Sequence, residues 1–351
     1  MPGGSDADQR LGLIAYLQSV GFTDEQIASN NDRLLSLVSR RVLFGDEERV
    51  SVAEIAAMAG CEESLVRKVR LASGLPDGGD DAVCSPREAE VMASFVLGAA
   101  VFGEEVTLQF TRLLGAAMAG IAEAALATFS SNTQAPLLEG GADLADIARA
   151  GAEATTALLT VPPVLDILLR LHFGYANASR FASVDRSPMV EVAIGFVDLV
   201  ESTRLTLSFS GAEFAGALSD FERDASDAVV GVGGRIVKRI GDAVMFVASD
   251  SNGACDAARA ILEAVDAHPQ LGTARAAVTW GRVLPRDGDY FGSAVNLAAR
   301  AVPLADPGTI VVTADVCDAL DTDAWSVAPL GVQSLKGFDV PVSLFRLEPR
   351  S

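Results

Sequence analysis

Apolar residues in the first half of the chain recur every three or four positions, and from about Met189 onward they gather into short unbroken blocks. The first pattern puts an apolar stripe along a helix; the second suits strands. Together they predict helices over 11–20, 24–43, 52–59, 64–71, 86–102, 106–129 and 143–159, punctuated by Gly, Pro and Asp clusters at 74–81 and 134–141. Strands are predicted over 189–197, 234–240, 243–248, 274–283 and 309–312, with helices at 211–230, 253–267 and 294–302 between them. The fold class that follows is α+β, with an all-α domain over 1–163 and an α/β domain over 188–351. A coupling segment over 164–187 starts after Pro162-Pro163 as helix and loosens into Ala, Ser and Asn.

Composition narrows the classes. Half of the 351 residues are hydrophobic, enough for two cored domains and too many for a disordered chain. A net charge of −20 argues against a general binder of nucleic acid or of anionic membranes. ATP stays open, because a local basic cluster or a bound metal overrides the global sign. Cys61, Cys84, Cys255 and Cys317 lie far apart without ligand spacing, so neither a disulfide framework nor a structural zinc is expected, and a reducing cytoplasm is the simplest setting. Residues 1–10 are polar and acidic, unlike a signal peptide. The most apolar region, 91–129, is interrupted by Glu104, Glu105, Arg112 and Glu123, which predicts no membrane span. Among 27 basic residues only Lys68, Lys238 and Lys336 are lysines. An ammonium and a guanidinium are not interchangeable at a tight site, which draws attention to Lys238 and Lys336.

Three stretches carry candidate chemistry. Gly195-Phe196-Val197-Asp198-Leu199-Val200 and Val237-Lys238-Arg239-Ile240-Gly241-Asp242 each put a carboxylate just after an apolar run. A Gly-Asp hairpin tip beside a neighbouring strand end brings two carboxylates together, and such a pair favours Mg²⁺ or Mn²⁺; the plainer reading is an ordinary turn. After Asp198, Ser202 or Thr203 is placed to cap a helix whose first amides face a phosphate. The third stretch, from Asp289 to Arg300, spaces Asp289, Asn296 and Arg300 along a loop entering a helix.

Taken together these residues resemble the catalytic domain of class III nucleotidyl cyclases over roughly 189–347. Phe-Val-Asp-Leu-Val followed by Ser-Thr looks like the family's first metal segment, and Lys238 to Asp242 like its purine-selecting lysine and second metal aspartate. Asp289-Tyr-Phe-Gly-x-x-Val-Asn-x-Ala-x-Arg matches the family's Asp-x-x-Gly-x-x-Val-Asn-x-Ala-x-Arg, and Leu335-Lys336-Gly337 its triphosphate lysine. The resemblance implies a ferredoxin-like α/β sandwich. It assigns two divalent ions per site to Asp198 and Asp242 and the purine to Lys238 and Asp289. Asn296 then orients the ribose, Arg300 stabilises charge on the reacting phosphate, and Lys336 holds the terminal phosphates. It also implies a homodimer with sites shared between two copies. Lys238 with Asp289 matches the N1 acceptor and 6-amino donor of adenine, so ATP is expected over GTP, and adenylate cyclase over guanylate cyclase. Two positions depart from the family pattern: Glu201 where Gly is frequent, and Tyr290-Phe291 where Ile-Trp is frequent.

The helical half offers a second signal. Residues 51–70 read as helix, Gly turn, helix, similar to a helix-turn-helix with Arg67, Lys68 and Arg70 available for phosphates. A transcription regulator with a nucleotide-sensing, inactive cyclase-like domain is therefore the alternative from another class, although the half is acidic and lacks a broad basic face. The domain order resembles actinobacterial cyclases with an N-terminal autoinhibitory, pH-responsive helical domain. His172, in Arg170-Leu171-His172-Phe173, is the candidate titrating group of the joining segment. The apolar 91–129 region suits either core packing or a lipid-like hydrophobic ligand.

Overall fold

The computed structural model describes residues 6–79, 81–181, 188–200, 211–321 and 323–349. The chain divides into two compact units, Met1–Val184 and Asp185–Ser351.

The first unit is helical: α1 (Asp6–Ser19), α2 (Asp24–Ser29), α3 (Leu37–Phe44), α4 (Val52–Ala59), α5 (Glu63–Ala72), α6 (Glu88–Phe102), α7 (Glu104–Phe129), α8 (Ala135–Glu139), α9 (Leu144–Leu158) and α10 (Val161–Phe181). The single helix expected over 24–43 is broken. The Asn30 amide donates to the Gln26 carbonyl at 2.8 Å and so competes with the continuing ladder. A 3₁₀ turn at Leu34–Ser36 then restarts the chain as α3. Capping boxes at Thr23 and Ser51 start α2 and α4. Two cores hold the unit, one around Leu13, Leu17, Leu34 and Leu37 and one around Val52, Ile55, Val66, Val69, Met92 and Phe95.

The helix-turn-helix pattern is present as α4, a left-handed Gly60 and α5. Its basic residues are engaged inside the unit. Arg67 pairs with Asp77 at 2.5 Å, Lys68 with Glu104 at 3.0 Å, and buried Arg70 with Glu88. A phosphate backbone would have to displace these carboxylates, which counts against the regulator reading.

Two stretches, Glu104–Glu139 and Leu144–Ala176, are long and apolar enough to cross a membrane by length and composition. The sequence expectation of none rested on the charges within 91–129, and between Arg112 and Ser130 the only one of these is Glu123. Phe110, Ile121, Leu126, Ile167 and Phe173 on these helices are exposed.

The second unit is a mixed sheet with strands β1 (Val190–Leu199), β2 (Arg235–Ile240), β3 (Ala243–Ala248), β4 (Ala274–Arg286), β5 (Asp289–Phe291), β6 (Ile310–Thr313), β7 (Trp325–Gln333) and β8 (Val342–Pro349). Its helices are α11 (Gly211–Gly231), α12 (Ser251–Ala267), α13 (Ser293–Ala301) and α14 (Ala314–Ala319). The order β2-β3-β1-β4 with α11 and α12 between the strands is the βαββαβ arrangement of a ferredoxin-like fold, extended through β6, β8 and β7. Strand alternation sorts the core. Ala193, Val197 and Phe246 pack under α11 and α12, while Ile194, Phe196, Met245 and Ala277 pack under α13. Gly195 sits against the Phe246 ring so closely that a Cβ there would lie 2.1 Å from it.

Candidate active site

The register of β1 sets the first two carboxylate residues at neighbouring strand ends. Asp198 stands opposite Ala243 on β3, and Asp242 immediately precedes Ala243 in the two-residue turn after Ile240. Gly241 supplies the positive φ of 64° that this tight hairpin needs. On the other side of β1, Asp198 stands opposite Arg275 of β4. Arg275 donates to its Oδ2 from Nη2 at 2.9 Å and from Nε at 3.2 Å. This partner was not singled out in the sequence, where it is one charged residue at a strand start. Two hard carboxylates at neighbouring strand ends fit a small divalent ion that takes its other ligands from water and substrate phosphates.

Lys238 owes its direction to a β-bulge. Ile236 stands opposite Phe246, yet Lys238 stands opposite Met245, leaving Val237 as the extra residue. Lys238 thereby reaches the α13 side of the sheet, where its Nζ donates to Asp289 Oδ2 at 2.5 Å. Asp289 is held by the β4–β5 hairpin, whose tip Asp287 and Gly288 both have positive φ, 55° and 80°. Its Oδ1 accepts from the Tyr290 amide at 2.8 Å. Arg235 donates to the Gly288 carbonyl at 3.3 Å and lies 5.4 Å from the centre of the Tyr290 ring.

The third group lines a cavity of about 820 Å³. Asn296 and Arg300 are four residues apart on α13 and share its exposed face, while Ala294, Val295 and Ala298 anchor the opposite face in the core. Lys336 enters the same cavity from the turn after β7, followed by Gly337 with φ 89°. Among the described residues, Arg300 and Lys336 have no ion-pair partner. Asp198, Arg275 and Lys238 all belong to the face of the sheet that α13 covers, by their alternation with Phe196, Ala277 and Met245. Thr203, with Ser202 and Glu201, lies outside the described residues. His172 is exposed on α10.

The ferredoxin-like unit thus carries Asp198, Asp242, Lys238 and Asp289 at its strand ends and Asn296, Arg300 and Lys336 around one cavity. The family model described as "Adenylate cyclase regulatory domain" matches residues 3–176. The chain is 34% identical to the uncharacterized protein Rv2212 of Mycobacterium tuberculosis, over 97% of this chain and 90% of that one. It is 31% identical to the pH-sensitive adenylate cyclase MT1302 of the same species, over 98% of this chain and 89% of that one. It is also similar to the crystal structure of the adenylyl cyclase CyaB from P. aeruginosa, with a TM-score of 0.42 and 20% identity over 46% of this chain and 96% of that one. The chain belongs to the adenylate cyclase family, with an adenylate cyclase regulatory domain in its first half.

Proposed function

We propose that the protein converts ATP to 3′,5′-cyclic AMP and pyrophosphate at sites shared between two copies of the chain. The observation that carries this reading is the convergence on one cavity of Asn296 with Arg300 and Lys336, which have no ion-pair partner among the described residues. The 3′-oxygen of the ribose forms a bond to the α-phosphorus, the bond from that phosphorus to the bridging oxygen of the β-phosphate breaks, and pyrophosphate leaves. The hydroxyl proton passes to water. No protein nucleophile is needed, so positioning and electrostatics supply the catalysis.

Lys336 draws the terminal phosphates into the cavity, Asn296 orients the ribose, and Arg300 meets the charge that grows on the α-phosphate. Thr203, in the chain after Asp198, is assigned to phosphate contact. Asp198 and Asp242 are assigned to two divalent ions, Mg²⁺ or Mn²⁺, which when bound neutralise phosphate charge and activate the attacking oxygen. Arg275 keeps the Asp198 carboxylate neutralised and aimed. The homodimer sets the carboxylates of one copy against the Asn296, Arg300 and base-reading pair of the other.

The Lys238–Asp289 pair reads the base. One donates and the other accepts, matching N1 and the 6-amino group of adenine. A part-exposed pair of this kind contributes about 1 kcal/mol or less, so adenine displaces it at small cost. Guanine reverses the donor and acceptor and leaves both groups unmatched. The helical domain over 1–163, acting through 164–187, sets the rate of the domain over 188–351.

Cyclic nucleotide formed by the full chain from ATP and from GTP with Mn²⁺ tests the reading. ATP-dependent cyclic AMP is expected, and no product from either nucleotide would end it. Regulation is tested by the rate between pH 5.5 and 8, a window set around the histidine range of about 6.5. A flat profile, together with equal rates for the full chain and residues 186–351, would remove the helical domain from control.

A further inference from the structure

A second pocket lies wholly within the helical unit, with a volume of about 360 Å³. Its character differs from the rest of a chain whose net charge is −20. Arg33, Arg40 and Arg49 line it together with Asn30, Ser36 and Phe44, and no carboxylate does so among the described residues.

Local structure places these groups on purpose-built positions. Arg33 ends the turn in which its amide donates to the Asn30 carbonyl at 2.9 Å. From there the 3₁₀ turn and α3 carry the chain in helical steps, so Arg33, Leu37, Arg40 and Phe44 fall at spacings of four, three and four along one side. Leu37 is buried and anchors that side. Arg49 arrives from the opposite wall, where the bridge between Val50 and Cys84 holds the chain beside Val83. Its Nη1 donates to the Val83 carbonyl at 3.3 Å, and its guanidinium lies 4.6 Å from the centre of the Phe44 ring.

Neither Arg33 nor Arg40 has an ion-pair partner among the described residues. The neighbouring Arg41 does, in Asp46 at 3.0 Å. In so acidic a chain, guanidinia facing one concavity without a carboxylate repel one another until an anion joins them. Planar donors in a fork match phosphate oxygens, and the volume suits a small molecule.

We propose that this pocket binds a phosphate-bearing anion, at a site separate from the cavity of Asn296, Arg300 and Lys336. The phosphate comes either from a small soluble molecule or from a lipid headgroup, and both present the same oxygens to Arg33, Arg40 and Arg49.

Hydrogen exchange of the full chain, read by mass spectrometry peptide by peptide, tests this. The probes are inorganic pyrophosphate without divalent metal and, separately, phosphatidylglycerol vesicles. Pyrophosphate is expected to protect peptides spanning 30–49. In the double variant Arg33→Gln, Arg40→Gln the apparent affinity at those peptides should fall about tenfold or more, from the loss of charge-assisted hydrogen bonds. Both side chains are exposed, and an unchanged melting curve for the variant rules out unfolding as the cause. The conservative pair Arg33→Lys, Arg40→Lys should keep part of the protection. Protection by vesicles alone keeps the site and assigns its phosphate to a lipid. Protection confined to 293–301 and 336–343, or protection at 30–49 that survives in the glutamine variant, overturns the proposal.

Discussion

Two groups of charges share the α13 side of the catalytic sheet, and they are treated differently by the fold. At the strand ends, Asp198 is neutralised by Arg275 and Lys238 by Asp289. Around the cavity, Arg300 and Lys336 have no counter-charge among the described residues. The two strand-end pairs are satisfied within the protein, and a ligand that engaged them would have to displace a partner. The cavity group is already open to an anion. A polyanionic substrate would therefore engage the cavity first, and the strand-end pairs would rearrange around it.

The sharpest way to break this comparison is Asp242→Ala. If the strand-end carboxylates take part in the chemistry, loss of several kcal/mol of charge stabilisation should cut cyclic AMP formation by roughly 10³-fold or more, with melting unchanged. Retained activity would reduce the strand-end group to structure. Next comes Arg300→Ala on the cavity side. If the guanidinium acts on charge that develops in the transition state, this should lower kcat by about 10²–10³ while KM for ATP changes little. A change confined to KM would make Arg300 a binding group only.

A smaller effect is expected from exchanging the Lys238–Asp289 pair, Lys238→Glu with Asp289→Lys. The ratio of kcat/KM for ATP over GTP should move toward GTP by about tenfold or more, as each mismatch costs roughly 1–3 kcal/mol. An unmoved ratio would leave the pair as a plain surface salt bridge. The mildest is Gly195→Ala, which touches neither group and tests the strand both depend on. Its Cβ would meet the buried Phe246 ring. Overpacking of about 1–3 kcal/mol should lower the melting temperature by several degrees. A variant as stable as the parent would mean that β1 and β3 shift easily.

Much of this was legible in the chain. The helices at 52–59, 211–230 and 294–302 and the strands at 234–240 and 243–248 each have a local cause, in periodicity or in a Gly-Asp turn. Asn296 and Arg300 could be placed on one helix face because four residues make about one turn. What was missed depends on partners distant in sequence. Arg275 meets Asp198 across 77 positions, and nothing near either residue announces the other. Strands β7 and β8 were not foreseen, because Pro329 and Gly331 interrupt one and the other gains its meaning only between β6 and β7. The break after Ser29 was hidden because apolar spacing continues through Asn30, whose side chain competes for the backbone. Periodicity also marks the apolar sides of α7 and α10 without saying what covers them.

The bulge at Val237 has a consequence for how related chains are laid side by side. Ile236 and Lys238 are two apart, and yet they face opposite sides of the sheet. A chain with one residue fewer at this point would lose the extra twist and keep its lysine opposite the same neighbour on β3. The interval from Gly234 to the lysine can then differ by one while the lysine faces the same side. An alignment that counts residues sets such chains out of step; one that counts faces of the sheet brings their lysines back together.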